Sequence, residues 1–333
     1  MKKKFSLIIL TLLWIIITTT CHKDITVYGV RLDKDDLILE VGQTETLIAT
    51  VSPPGATNTA VTWSSSDTNI VTVKKGKITA VAVGNAIITV TTKDANRTAT
   101  CAVKVYMPYP DEPEMVFVEG GTFTMGCTEE NEGDCWSDEL PLHEVTLNSF
   151  YIAKYELTQE KWEALMEKNP SLLPSPNCPV ESVSWDDVHN YINKLNAATR
   201  KKYRLPTEAE WEFAARGGNH SAGYKYSGSN DYSRVVQQGY GPFQVGKKMP
   251  NELGIYDMSG NVWEWCSDWY DAYSEYPQTN PQGPNSGEFR IMRGGGWNST
   301  PQPKIYRVSV RSHMSDGHPG SAVIGFRLVL DIE

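Results

Sequence analysis

Six cysteines and six histidines carry the chemistry beyond simple charge in this chain: Cys21, Cys101, Cys127, Cys135, Cys178 and Cys266, with His22, His143, His189, His220, His313 and His318. Thiolates and imidazoles hold zinc when they fall in C-x2-C pairs or share a helix face as H-E-x-x-H. Neither spacing occurs here. His313 and His318 have a tolerable ligand spacing, but no cysteine pair completes a site, so both read as surface residues. The chain also lacks a G-x-S-x-G elbow, a Walker loop and a G-x-G-x-x-G turn after a strand. Its close carboxylates, Asp186 with Asp187 and Glu208 with Glu210, stand at helix starts, where negative charge complements the helix dipole. They read as caps, not as acid/base pairs. Cys127 and Cys135 flank a short polar loop, Thr128 to Asp134, which closes easily as a disulfide. Cys178 and Cys266 are the expected second pair.

Disulfides require an oxidising compartment, and the N-terminus supplies the route to one. Lys2, Lys3 and Lys4 precede an apolar run from Phe5 to Ile17, followed by Thr18, Thr19, Thr20 and Cys21. The run falls short of the roughly 18–20 residues of a spanning helix, so residues 1–20 read as an export signal. A cysteine directly after small residues resembles the bacterial lipobox, although Thr stands where Leu and Gly or Ala are usual. The expectation is lipidation at Cys21 and attachment to a membrane through that lipid. The protein would then sit in the cell envelope, on the outer membrane or the cell surface. Thirty-one basic against 40 acidic residues give a net charge of -9, and loss of the three lysines deepens it to -12. That balance argues against a nucleic-acid partner.

The elements that position these residues change character along the chain. Residues 21–106 read as short alternating strands with turns about every ten residues, among them Leu37 to Val41, Thr46 to Val51, Ala60 to Trp63, Ile70 to Val73, Lys77 to Val83, Ala86 to Thr92 and Ala99 to Val105. This is the pattern of an all-β immunoglobulin-like sandwich, with Trp63 as a core plug. Met107-Pro-Tyr-Pro-Asp-Glu-Pro113 begins a semi-rigid linker over residues 107–114. Residues 115–333 read as an α+β domain. A strand pair is expected from Met115 to Gly126 around Gly120-Gly121. Helices are expected from Thr158 through Lys168, from Ser184 to about Thr199, and from Thr207 to Gly217-Gly218. Loops rich in Gly, Trp and Tyr follow.

Two resemblances give these segments meaning. Val61-Thr-Trp63-Ser-Ser-Ser-Asp67, Lys75-Gly76-Lys77 and Val83-Gly84-Asn85-Ala86 resemble the bacterial group 2 immunoglobulin-like domain, usually a spacer. The second half resembles the formylglycine-generating enzyme, or sulfatase-modifying factor, family. The resemblance rests on Phe117-Val-Glu-Gly-Gly-Thr-Phe-Thr-Met-Gly126, Tyr155-Glu-Leu-Thr158, Pro179-Val-Glu-Ser-Val-Ser-Trp185, Tyr203-Arg-Leu-Pro-Thr-Glu-Ala-Glu-Trp-Glu-Phe-Ala-Ala-Arg216, Asn251-Glu-Leu-Gly-Ile-Tyr-Asp-Met-Ser-Gly-Asn-Val-Trp-Glu-Trp265, Arg293-Gly-Gly-Gly-Trp297 and Gly325-Phe-Arg327. It implies a C-type-lectin-like fold with bound calcium and, in active members, a copper-binding cysteine pair that oxidises a sulfatase cysteine.

Carried over residue by residue, the resemblance removes the catalysis. Gly296 replaces the active-site serine, Ser299 stands at the first cysteine and Lys304 at the second, and no cysteine follows Cys266. A hydroxyl and an ammonium do not replace two thiolates for soft Cu(I), so no copper is expected. One structural calcium site is implied, with the side chains of Asp257 and Glu264 and the carbonyls of Gly260 and Val262. The expected product is a surface-displayed binding protein. Its ligand-contact residues would be Trp297, Asn298, Ser299, Lys304, Tyr306, Arg307 and Arg311, meeting a protein or glycan. Three alternatives stand beside it: a residual formylglycine-generating oxidase, a variable ligand-binding protein diversified by a retroelement between Arg293 and Arg327, and a structural part of a surface machine.

Overall fold

Alternation of buried and exposed side chains builds the N-terminal region. In the strand Gly84–Thr92 the side chains of Ala86, Ile88 and Val90 are buried while their neighbours face outward, the period-two signature of a half-buried strand. A computed structural model describes residues 24–332 except 108, 132, 238, 300 and 301; the export segment and Cys21 lie outside the described residues. The chain divides between residues 108 and 109 into two compact units.

The first unit is a β-sandwich. Its larger sheet runs in the order Asp36–Glu40, Thr98–Tyr106, Gly84–Thr92, Val61–Ser65, with the first pair parallel and the others antiparallel. A second sheet holds Thr44–Thr46, Lys77–Ala80 and Val71–Lys74, and Gly29–Leu32 pairs with Ala49–Ser52. Between them lies an apolar cluster that includes Leu39, Leu47, Ile78, Ile88, Cys101 and Val103, with Trp63 packed half-buried against it. The expected strand from Thr46 to Val51 is two strands, interrupted where Leu47 turns its side chain into the core.

The second unit mixes short sheets with helices. α1 (Gln159–Glu163), α2 (Trp185–Thr199) and α3 (Glu208–Ala215) start at Thr158, Ser184 and Thr207, and each cap side chain accepts a backbone N–H from the first turn. α2 and α3 also close capping boxes, through Asp187 and Glu210. α1 is shorter than the Thr158-to-Lys168 expectation. The Trp162 indole donates to the Lys168 carbonyl at 2.8 Å and folds that segment back as a loop. Met115–Val118 and Gly121–Met125 are both strands, but they do not pair with each other. The first joins Phe150–Ala153 and the second joins His143–Leu147, in separate sheets. A third sheet, in the order Arg311–Ser315, Phe289–Arg293, Trp263–Trp269, Ile324–Gly325, carries the motifs of interest.

Cys127 and Cys135 form the expected disulfide. Cys178 and Cys266 do not pair; both are buried free thiols. Cys266 sits on the strand Trp263–Trp269 inside a core cluster with Trp211 and Ile291, while the Cys178 thiol lies 3.7 Å from the Pro242 carbonyl. Each has its own packed environment, and desolvation pushes the Cys266 thiol well above its ordinary range. No described helix is long and apolar enough to cross a membrane.

Candidate functional site

Buried arginines hold the loops of the second unit where regular structure is sparse. Arg293, with no exposed surface, bonds Glu212 and the carbonyls of Val308 and Ser309, and reaches Glu208 at 3.3 Å. Arg311 grips Glu208 with two bonds of 2.6 and 2.8 Å, and Arg307 grips Glu139 at 2.6 and 3.1 Å. Arg216 ties Glu212 to the Glu130 loop, and Arg327 clasps Glu264 at 2.6 and 2.7 Å. Planar guanidinium forks match carboxylates in this way at little geometric cost. An unpaired charge in such a place would cost several kcal/mol. Sequence reasoning read Glu208 only as a helix cap; its carboxylate instead neutralises Arg311 and Arg293. Glu139 and Glu156 leave no local signal because their partners, Arg307 and Asn261, lie more than a hundred residues away, and Glu212 shows in sequence only its i,i+4 neighbour Arg216 and not Arg293, 81 residues on.

The Gly294–Trp297 turn and the Gly260–Val262 turn are stitched together. Gly260 N–H donates to the Gly294 carbonyl at 2.8 Å, and Trp297 N–H donates to the Asn261 carbonyl at 2.7 Å. Gly295 is required here: its φ is +84°, and a Cβ would meet the Tyr306 ring at 2.8 Å. The position of the missing active-site serine, Gly296, therefore lies beside the implied calcium turn, and the chain runs on from it to the positions of the missing copper pair, Ser299 and Lys304. Trp297 is half-buried and donates its indole N–H to the Ala322 carbonyl at 2.8 Å. Asn298 is exposed and Ser299 half-exposed. The Lys304 ammonium meets Asp134 of the disulfide loop at 2.6 Å and sits 5.2 Å over the Trp136 ring. No thiolate is present at either position, so the residues do not fit copper.

The other three expected ligand contacts are corrected by the structure. Tyr306 and Arg307 are each 1 % exposed and Arg311 5 %. Tyr306 packs under Gly295, and both arginines spend their forks on Glu139 and Glu208. Their positions on a turn-rich segment suggested a surface, whereas the network draws them inside.

The implied calcium residues surround a cluster of buried acids. Asp257, in a left-handed conformation (φ +60°), accepts the Gly246 N–H at 2.7 Å through Oδ2. Burial pushes its carboxyl up to about 6, against the opposing pull of the Gly246 N–H and Arg327. Glu156 accepts from Asn261 Nδ2 at 2.6 Å and Val262 N–H at 3.1 Å. Its carboxyl is raised well above the usual range, first by burial and then by the charges of Asp257 and Glu264. Glu264 is committed to Arg327 and to the Trp211 indole at 2.8 Å. Three buried carboxylates thus face one guanidinium. These are hard oxygen donors of the kind calcium takes, and Asp257 Oδ1 accepts no hydrogen bond among the described residues, but Glu156 is already committed to Asn261 and Val262, and Glu264 to Arg327 and Trp211. Among the described residues no group of three or more His, Cys, Asp or Glu side chains is arranged to hold a metal ion.

Comparison with known proteins agrees with this anatomy. Residues 26–103 match the bacterial Ig-like domain (group 2) model, and residues 103–332 match the sulfatase-modifying factor enzyme 1-like domain model. A chaperone protein LppX of Paenibacillus barcinonensis is 34 % identical over 241 residues, covering 56 % of this chain and 79 % of that one. A serine/threonine-protein kinase pkn1 of Chlamydia pneumoniae is 33 % identical over 68 % of this chain but only 39 % of its own length, so the chain spans about two fifths of that kinase. Among solved structures, Treponema denticola variable protein 1 superposes with a TM-score of 0.59 at 28 % identity, covering 66 % of this chain and 95 % of that one. The chain therefore belongs to the sulfatase-modifying factor enzyme 1-like family, with a group 2 bacterial Ig-like domain ahead of the family domain and without the family's catalytic cysteine pair.

Proposed function

We propose that this protein is a non-catalytic binding protein of the variable-protein type, with its ligand surface on the stretch between Arg293 and Arg327. One observation carries the reading: inward and outward residues of that stretch do separate jobs. Arg293, Arg307, Arg311 and Arg327 are buried and hold the backbone through carboxylates elsewhere in the domain. Asn298, Gln302, His313 and Gly317 face solvent. A loop braced from within tolerates change at its outer side chains, because their replacement breaks no buried pair. The likeness to Treponema denticola variable protein 1 favours this form over a binding surface of constant sequence. The contact set reduces to Trp297, Asn298, Ser299 and Lys304, with the neighbouring 312–321 loop, and the ligand is a protein or a glycan.

In this reading the C-terminal domain is C-type-lectin-like, and the acid cluster takes one structural calcium through Asp257, Glu264 and the Gly260 and Val262 carbonyls. Residues 21–106 form the spacer and 107–114 the linker, and a lipid at Cys21 holds the protein on the cell envelope. The test is a screen of glycans and surface proteins against the full chain, with and without a chelator, repeated with Asn298→Ala/His313→Ala. Captured ligand that the double substitution releases supports the reading. Turnover of a sulfatase Cys-x-Pro-x-Arg peptide to formylglycine in the presence of Cu(I) would sink it. A reverse-transcriptase gene and template repeat beside the coding sequence are expected; without them the diversification fails while binding stands.

A further inference from the structure

A cavity of about 330 Å3 opens between the start of α3 and the loop that follows the strand Trp263–Trp269. It is lined by residues other than Trp297, Asn298, Ser299 and Lys304, and is therefore separate from the surface proposed above. Its charged walls come from Glu208, Asp268, Asp271 and Arg311. The cation among them is spent. Arg311 gives Nε and Nη2 to Glu208, and gives Nη1 to the carbonyls of Asp138 and Asp271 at 3.0 Å each. Glu208 is equally committed, to Arg311, to Arg293 at 3.3 Å and to the Tyr273 hydroxyl at 3.4 Å.

Asp268 differs from both. It is 5 % exposed, and its two hydrogen bonds, from Glu208 N–H at 2.9 Å and the Ser267 hydroxyl at 3.0 Å, both fall on Oδ2. Among the described residues Oδ1 accepts none. Gly283 covers it, with φ at +67°; a Cβ there would stand 2.9 Å from the Asp268 Cβ and 3.3 Å from Oδ1, so glycine keeps the oxygen within reach. Asp271 is exposed and adds a second negative charge. Oδ1 is the carboxylate oxygen of Asp268 left open to a donor that enters the cavity. Among the described lining residues no Lys or Arg is free to receive an anion, and the Nδ1 of His143 lies 3.2 Å from the Pro141 carbonyl. When Asp268 is ionised, a positively charged N–H donor is the complement of its open Oδ1 and of the Asp271 charge beside it.

We propose that this cavity binds a primary ammonium group, with Asp268 Oδ1 as its acceptor and Asp271 adding attraction from the side. An ammonium offers compact, rotatable donors to a single open oxygen, whereas a guanidinium fork calls for two. The ammonium could belong to an amino sugar or to a lysine side chain.

The experiment is calorimetric titration of the full chain slightly above neutral pH, where the Asp268 carboxyl, raised to about 7 by burial, is largely ionised. The ligands are glucosamine, Nα-acetyl-lysine amide, and the acetylated forms in which each free amine is capped. At least one free amine is expected to bind, and its capped form at least about tenfold more weakly, the loss of one charge-assisted hydrogen bond. Binding of glucosamine alone identifies a glycan source, and binding of the lysine derivative alone a peptide source. Asp268→Asn retains an oxygen for the Glu208 N–H and should show the same tenfold loss with an unchanged circular dichroism spectrum. Ala272→Trp, at an exposed position on the wall, should block binding without touching the buried pairs and serves if Asp268→Asn fails to fold. Absence of amine binding up to about 10 mM, equal affinity for capped and free amines, or full affinity in either variant would overturn the proposal.

Discussion

In the first unit, the strand Gly84–Thr92 sends Ala86, Ile88 and Val90 into a core of other aliphatic side chains. In the second, the strand Phe289–Arg293 sends Ile291, Met292 and then a guanidinium into the interior, and Arg293 ends as buried as any isoleucine. The sandwich is held by non-directional burial, at roughly 1.5–3 kcal/mol per large aliphatic side chain. The family domain adds directional bonds from arginines to carboxylates that lie far off in sequence. Directional bonds suit a region of turns and short strands, because each fork fixes the position and orientation of the loop that carries it. They also leave the domain exposed to single deletions, since removing one partner strands the other charge in the dark.

That contrast can be broken most forcefully at Arg293. Arg293→Ala should cost about 3–5 kcal/mol, the range for breaking a buried pair, and should lower only the unfolding transition of the second unit in a denaturant titration followed by circular dichroism. Arg293→Lys should recover little, because a point charge cannot serve Glu212 and two carbonyls together. Next in size is Ile88→Ala, which should cost about 3 kcal/mol through a cavity in the sandwich. It should move the first unit's transition and leave the second's in place. Equal effects of either substitution on both transitions would erase the distinction between the units.

A smaller effect comes from pH. Burial, with help from the charge of Glu208, raises the Asp268 carboxyl to about 7. The folded chain therefore keeps a proton that the unfolded chain has already lost above about 4. The second unit's stability should be highest below about 4 as far as this group is concerned, fall by at most about 1.4 kcal/mol per pH unit on the way to 7, and level off beyond. Asp268→Asn should flatten that slope in melts taken at a series of pH values, and an unchanged slope would assign it to another group. The smallest effect belongs to the solvent-facing pair of Lys304 and Asp134. Lys304→Ala should leave the melting temperature where it is, because exposed pairs contribute little. A clear drop would mean that this pair belongs with the buried network.

The residues themselves show how far a sequence carries such a reading. The helix starts were legible because a cap is a local event: Thr158, Ser184 and Thr207 each bond to an N–H within the next three residues. The Cys127–Cys135 bridge was legible for the same reason, a separation of 8 residues that closes cheaply. The Cys178–Cys266 expectation failed because spacing says nothing of where two distant thiols are buried. The strands on either side of Gly120-Gly121 looked like a hairpin, yet their partners come from residues 143–153. Of the expected ligand contacts, Trp297, Asn298, Ser299 and Lys304 retain exposed surface, while Tyr306, Arg307 and Arg311 went inside. An arginine reads alike in sequence whether it meets solvent or a carboxylate 103 residues away, as Arg311 meets Glu208.

Composition, periodicity and motif order by themselves determined that an alternating-strand sandwich precedes a loop-rich family domain, and that two thiolates are missing where the family's copper chemistry needs them. Those facts depend on residue type and on neighbours close in the chain. Only the tertiary structure decided which arginines became interior struts, which thiols stayed free, and that Asp268 turns one oxygen toward a cavity while the other is tied to Glu208 and Ser267. The reason is physical: the worth of a charge or a thiol depends on its desolvation and on the partner within about 3 Å, and both are properties of the folded packing.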